Sequence, residues 1–236
     1  MIRTRAKEPW KEVKAGRAFK SSDCLKMDEK PSVIRHSQYV SHLGDRKGFT
    51  EKTEPLIESF GCLKERLVFI TDGAVWLRNW ISDSYPEAIS ILDFFHASEY
   101  LYDYAKVVFK EDELKTKQWA ERQKELLLDS RLQKVRENIR EIAPCKSMAK
   151  KIIKYYQDNA DRMDYKRYLS IGLGIIGSGA IESAHRTVVQ KRLKLSGQRW
   201  TIRGAQNMLN LRAIDMSHKW DKVIELAQTY HEKQVA

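Results

Sequence analysis

Nowhere among the 236 residues do eighteen apolar residues run together, so the sequence offers no membrane-spanning helix. The first residues, Met1-Ile2-Arg3-Thr4-Arg5, lack the apolar stretch of a secretory signal. Cysteine is scarce: Cys24, Cys62 and Cys145 are odd in number and widely scattered, and no CxxC pair is present. That excludes a disulfide framework, argues against a zinc site and fits a reducing cytosol. There is no internal repeat and no low-complexity tract. At 42% hydrophobic residues the composition is near the globular norm, so disorder is excluded as the default.

What is present in excess is positive charge. Lysine and arginine number 43 against 32 acidic residues, a formal net charge of +11. An excess of this size points to an anionic partner, most often nucleic acid, or to a merely soluble basic protein, and says little about fold.

Along the chain the pattern reads first as β-rich. Trp10–Phe19 alternates, with Trp10, Glu12 and Lys14 on one side and Val13 and Ala15 on the other, as in a half-buried strand. His36–Leu43 is a second candidate strand, and Thr50–Phe60 reads as a short helix closed by Gly61. Arg66–Thr71 is an apolar run ending in Asp72-Gly73, which suits a buried strand. A helix over Val75–Ser82, a strand over Ala88–Leu92 and a helix from about Ala97 follow. Strand–helix–strand–helix with short connections predicts parallel pairing under helices. From 110 to 165 the pattern turns helical, with an apolar stripe at Leu128, Leu132, Val135, Ile139 and Ile142. This reads as an all-α insertion that covers the sheet. A glycine-rich break over 171–179 precedes a basic helix and a last helix from about Thr201. The expected organisation is therefore 1–109 and 166–236 as two parts of one core, with 110–165 inserted.

Two carboxylates stand out. Asp72 ends a predicted buried strand, where ligands of parallel α/β sheets bind. Glu182, in Gly177-Ser178-Gly179-Ala180-Ile181-Glu182-Ser183, falls in or next to the first turn of a helix starting at Ser178 or Gly179. The dipole there favours the ionised form. Each alone has an ordinary explanation, as a helix N-cap for Asp72 and a capping-box glutamate for Glu182. Together, 110 residues apart, they fit a magnesium-binding constellation. Two carboxylate-held metals about 4 Å apart activate a water or 3′-hydroxyl and stabilise the leaving oxygen in phosphodiester exchange.

Several longer motifs sharpen this. Asp72-Gly-Ala-Val-Trp76, Tyr85-Pro86-Glu-Ala88 and Ile91-Leu-Asp93-Phe-Phe-His96-Ala97 with Glu99 resemble the middle of the DDE transposases of the Kra type. These are bacterial insertion-sequence enzymes distantly similar to the Mutator superfamily. The stretch Gly177–Ser183, Gln190-Lys-Arg192-Leu-Lys194, Ser196-Gly197-Gln-Arg-Trp200 and Gly204-Ala-Gln206 through Leu209–Arg212 resemble the family's C-terminal block, and Trp10–Arg17 an earlier one. The match runs in order over nearly the whole chain.

The resemblance implies an α/β, RNase H-like mixed sheet with flanking helices and an all-α insertion. It implies Mg2+ or Mn2+ as cofactor, with Asp72 and Glu182 as the second and third metal-binding catalytic acids. Asp93 and His96 fall on the family's Cys-or-Asp-x-x-His element, as orienting groups, DNA contacts or a buried pair anchoring a helix start. Asp93 is also the rival to Asp72 as strand-end ligand. The family's first aspartate lies just upstream of a stretch like Met1–Arg5. The resemblance thus implies that this aspartate, its strand and the upstream DNA-binding region are missing, and that the chain alone is inactive. Asp23, Asp28 and Asp45 lie beyond the Trp10–Arg17 block and are poorly placed to substitute.

Arg186, Lys191, Arg192, Lys194, Arg199 and Arg203 fall within eighteen residues around Trp200. Six cations there suit phosphate contacts, with a solvated helix face as the plainer reading. Trp200 suits stacking on a splayed base or, more ordinarily, core; Trp119 poses the same choice. The implied partners are transposon ends and target DNA, with a homo-oligomer at the nucleoid in the cytoplasm. A non-enzymatic DNA-binding remnant and a branched-DNA resolvase are the rival readings.

Overall fold

The computed structural model describes residues 1–7, 9–27, 30–142, 146–172, 175–177, 179–235. Asp28, Cys145 and Ser178 lie outside them. The chain forms two compact units, a terminal one of Met1–Gly61 with Ala180–Ala236 and a central one of Cys62–Gly179. This division cuts across the segments expected from sequence. The helical stretch 110–165 shares a unit with the two strands before it, and the β-rich start shares one with the basic C-terminal helices. The protein is mixed α/β and 62% helical.

The terminal unit begins with β1 (Ile2–Arg3), β2 (Trp10–Lys11), β3 (Val13–Ala18), β4 (Cys24–Met27), β5 (Lys30–Ile34) and β6 (Gln38–Leu43), then α1 (Arg46–Glu58). The pairings are antiparallel: β1 with β2, β3 with β6 and β4 with β5. The strand expected over Trp10–Phe19 is thus two strands, broken at Glu12. Val13 packs half-buried against the unit's core, as the alternation predicts, and Lys14 on the other side is buried as well. The Lys14 ammonium donates to Glu12 Oε2 and the Gly44 carbonyl, both at 2.7 Å. The long stem supplies apolar contact while the two acceptors satisfy the head, so polarity alone does not keep Lys14 in solvent. Helix α1 starts four residues before Thr50, because Asp45 caps it by accepting the Gly48 N–H at 2.7 Å.

The central unit carries β7 (Val68–Thr71), α2 (Val75–Ser84), β8 (Ile89–Leu92) and α3 (Phe94–Phe109). β7 and β8 run parallel in the register Val68↔Ile89 to Thr71↔Leu92, as the strand–helix–strand pattern predicts. Four helices follow: α4 (Glu113–Leu128), α5 (Leu132–Glu141), α6 (Lys146–Asp158) and α7 (Tyr165–Ser170). The predicted stripe is split between α4 and α5, where Ser130 takes a left-handed φ of 57°. Val135 and Ile139 still pack on Ile91, Leu92, Leu101, Ile152 and Tyr156 in one core. The helices therefore cover the strand pair, and burying such side chains contributes about 1.5–3 kcal/mol each.

The chain then returns to the terminal unit through α8 (Gly179–Ala184), a π-helical turn (His185–Gln190), α9 (Lys191–Leu193), α10 (Ile202–Met216) and α11 (Asp221–Val235). The single last helix expected from Thr201 is therefore two, separated at His218 by a left-handed φ of 53°. Ile2, Leu43, Val188, Val189, Leu193, Ala205 and Leu209 form this unit's core, with Trp200 packed against it.

Among the described residues the strands form four two-stranded ladders in place of one continuous mixed sheet. The reason lies at the strand edges, whose polar groups are taken up by helices. At β6, the Tyr39 N–H donates to Ser217 Oγ and the Leu43 N–H to Gln206 Oε1, while Ser41 Oγ donates to the Leu209 carbonyl. At β8, the Ile91 carbonyl accepts from Arg162 and the Leu92 carbonyl from Tyr165 Oη. An edge already satisfied by side chains has nothing to offer another strand. No helix among the described residues is long and apolar enough to cross a membrane.

Candidate functional site: acidic strand ends and a cationic surface

The register of β7 and β8 aligns Thr71 with Leu92, so Asp72 and Asp93 follow side by side at the carboxyl ends of parallel strands. Their surroundings differ. Asp72 is exposed, and its Oδ1 accepts the Ala74 N–H at 3.0 Å. Asp93 is buried; its Oδ1 accepts the Phe95 N–H at 3.0 Å and caps α3, while its own N–H donates to the Thr71 carbonyl at 2.8 Å. That cap starts α3 at Phe94, ahead of the expected Ala97. Of the rivals, Asp72 offers the freer carboxylate and Asp93 the structural one.

His96 does not complete a histidine–aspartate pair with Asp93. It lies one turn into α3, 3.4 Å from Glu99 Oε2, with its ring edge-on to Tyr100 at 5.4 Å. Tyr155 closes the back of this corner. A Cβ on Gly73 would collide with its ring, and a Cβ on Gly177 would collide with Phe95 and lie 3.2 Å from Asp93 Oδ1. Glycine at both positions allows the close approach that any side chain would block. Burial, with Tyr100 and Asp72 adding to it, holds the Tyr155 phenol well above its usual range, so it stays protonated.

Glu182 sits in the first turn of α8, where expected, and is exposed. It belongs to the terminal unit, whereas Asp72 and Asp93 belong to the central one. Elsewhere in the terminal unit Asp45 caps α1 and Asp23 closes a 3-10 turn at Ser21–Asp23.

Charge separates sharply between the units. The terminal unit holds 23 lysines and arginines against 14 acids, an excess of +9; the central unit holds 20 against 18, an excess of +2. Arg186, Lys191, Arg192, Lys194, Arg199 and Arg203 are all exposed, and none forms an ion pair among the described residues. The π-helical turn sets their spacing. It places Gln190 Nε2 3.2 Å from His185 Nδ1 across five residues, and Arg212 donates to the Thr187 carbonyl that the wider turn leaves open, at 2.9 Å. No feature of the sequence announced that turn, although π turns are frequent at functional sites. Trp200 is half-buried with its Nε1 shielded from solvent, which makes it a core residue. Trp119 likewise packs into the central core beside Tyr104, ring centroids 5.9 Å apart. A cavity of about 410 Å³ lies elsewhere in the terminal unit, lined by Lys20, Asp23, His36 and Ser217 among others and by none of these residues.

Two histidines tie this unit to pH. Burial lowers the pKa of His42, helped by Lys52 and opposed by Asp45. Burial also lowers that of His185, helped by Lys194 and the nearby amino terminus. Both imidazoles bind protons less readily folded than unfolded, so the unfolded chain gains as pH falls below about 6.5. The terminal unit is expected to melt at a lower temperature at about pH 5.5 than at about pH 7.5. A His42→Gln/His185→Gln variant should show a flatter profile; an unchanged melting temperature in the parent chain would count against the assignment.

No family model, no curated protein and no solved structure matches the chain.

Proposed function

We propose that this chain is a DNA-handling protein of the DDE-transposase kind, built around an RNase H-like strand pair. The terminal unit holds DNA phosphates, and the ends of β7 and β8 present the acidic side chains. The observation that carries the reading is the +9 excess on one unit, with six exposed cations that have no acidic partner among the described residues. Cations in that state neutralise phosphates and release counterions, which gives affinity without base readout. The transposon ends, the target DNA, self-assembly and a place at the nucleoid belong to the same proposal.

A magnesium or manganese centre is only partly accommodated. Asp72 offers an exposed hard oxygen donor, as Mg2+ prefers. Among the described residues, however, no three His, Cys, Asp or Glu side chains lie close enough to hold an ion. The exposed cations equally support a second reading, a non-enzymatic DNA-binding protein that competes with or regulates an active transposase.

Duplex binding followed by fluorescence anisotropy, with plasmid nicking in Mg2+ or Mn2+ alongside, tests both. The chain is expected to bind duplex. Replacing Lys191, Arg192 and Lys194 together by glutamate should weaken binding at least a hundredfold, since each phosphate contact becomes a repulsion. Nicking abolished by Asp72→Asn supports the enzyme; binding without nicking supports the second reading. Absence of binding at low salt overturns both.

A further inference from the structure

The start of the chain builds a second feature of the terminal unit. β1 lies between two neighbours. On one side it pairs antiparallel with β2, Arg3 directly opposite Trp10. On the other, Thr4 bridges in parallel to Trp200: the Trp200 N–H donates to the Arg3 carbonyl at 3.2 Å, and the Arg5 N–H to the Trp200 carbonyl at 2.8 Å. Side chains alternate across such a ladder. Ile2 and Thr4 point into the core at 0% and 2% exposure, so Arg3 and Arg5 point out. By the same alternation Trp200 faces inward and Arg199 outward, beside Arg3. Trp10, as Arg3's directly opposed partner, shares the outer face and is 57% exposed.

The outer face thus carries an open indole, Arg3 and Arg199 in one row and Arg5 on the next rung. With strands about 4.8 Å apart, the row spans about 10 Å. Like charges set side by side across strands destabilise a ladder unless something neutralises them. Among the described residues no carboxylate pairs with any of the three arginines. An exposed large aromatic next to unpaired guanidiniums complements a ligand with flat π faces joined by negative charge.

We propose that Trp10, Arg3, Arg5 and Arg199 form a platform for a single nucleic-acid strand, with a base stacked on the indole and phosphates held by the arginines. A duplex keeps its bases stacked on each other and offers this ring nothing, whereas an open strand offers a π face at every nucleotide. The platform deepens the nucleic-acid part of the function proposed above and needs none of its metal chemistry. It assigns the stacking role to Trp10 rather than to Trp200.

The test is binding of fluorescein-labelled oligo-dT, oligo-rU and a duplex, each about twelve units long, to the full chain and its variants. Trp10→Ala should weaken single-strand binding roughly tenfold, from the worth of one stacked base, and leave duplex binding within about twofold. Trp10→Phe should retain most of the affinity. Arg3→Ala/Arg199→Ala should weaken the single strand and flatten its salt dependence, with melting curves confirming the fold of each variant. Preference for dT or rU identifies the strand served, and either supports the platform. Trp10→Ala binding single strands as the parent does, or losing duplex and single strand equally, overturns the platform while leaving the duplex-binding proposal standing. Single-strand binding that depends on Trp10 without any duplex binding or nicking keeps the platform and removes the transposase reading.

Discussion

Raising salt from about 50 to about 200 mM is expected to weaken duplex binding by this chain roughly a thousandfold. The six cations of the 186–203 segment are exposed and free of acidic partners among the described residues, so each is available to displace a counterion from DNA. About 0.9 counterion is released per phosphate neutralised, which makes the slope of log affinity against log salt about −5 for six contacts. The central unit, with an excess of only +2, adds little to this slope. Anisotropy titrations at four salt concentrations measure it directly. A slope near −2 would mean that most of the six cations face away from the duplex, and the cationic surface as drawn would be wrong. A lysine-to-arginine exchange at Lys191 or Lys194 should leave the slope intact, because the charge is kept.

The second large effect is expected at Arg162, which is only 2% exposed. Its guanidinium donates to Thr71 Oγ1 next to Asp72, to Asn159 Oδ1 at 3.2 Å and to the Ile91 carbonyl at 3.3 Å. It thereby pins the ends of β7 and β8 and occupies a strand edge. Burial draws its pKa down, with Arg78 adding and Asp161 opposing. Arg162→Ala would leave three acceptors without this donor, those of Asn159 and Ile91 buried and that of Thr71 half-buried, and open a cavity beneath the strand ends. Each orphaned group costs about 1–3 kcal/mol and the lost packing adds to it, so a total loss of about 3–5 kcal/mol is expected. Guanidinium unfolding with a probe in the central unit reads this as a shift in midpoint. Arg162→Lys should recover part of the loss, since an ammonium reaches fewer of the three acceptors. A loss below about 1 kcal/mol would show that water replaces the guanidinium and that the edge does not depend on it.

Elements with a strong local signature were legible in the sequence. The apolar run before Asp72, the short Tyr85-Pro86 connection and the second apolar run predicted a parallel pair, and Val68–Thr71 with Ile89–Leu92 is that pair. The same reading placed Asp72 and Asp93 at strand ends and Glu182 in a first helical turn. Failures came where a side chain's reach or a distant partner decides. Lys14 is polar yet buried, because Gly44, thirty residues away, supplies an acceptor. His96 reads as a partner for Asp93, but the helix turns it to Glu99 and Tyr100. The two candidate tryptophans, Trp200 and Trp119, resolve as core residues, while Trp10, read only as part of a strand, is open to solvent.

By itself the sequence determined the local periodicities, the strand-end and helix-start positions of the acidic residues and the total charge of +11. These depend on neighbours within a few residues, or on a sum. Only the tertiary structure decided where that charge lies. Joining residues 1–61 to 180–236 concentrates +9 on one unit, and pairing Thr4 with Trp200 puts Arg3 beside Arg199 across nearly two hundred residues of chain. It also decided that the ladders stop at two strands, because α10 and the Arg162–Tyr168 segment reach the open edges of β6 and β8 first. Backbone edges and like charges find their partners through space, and no window along the chain contains both halves of such a contact.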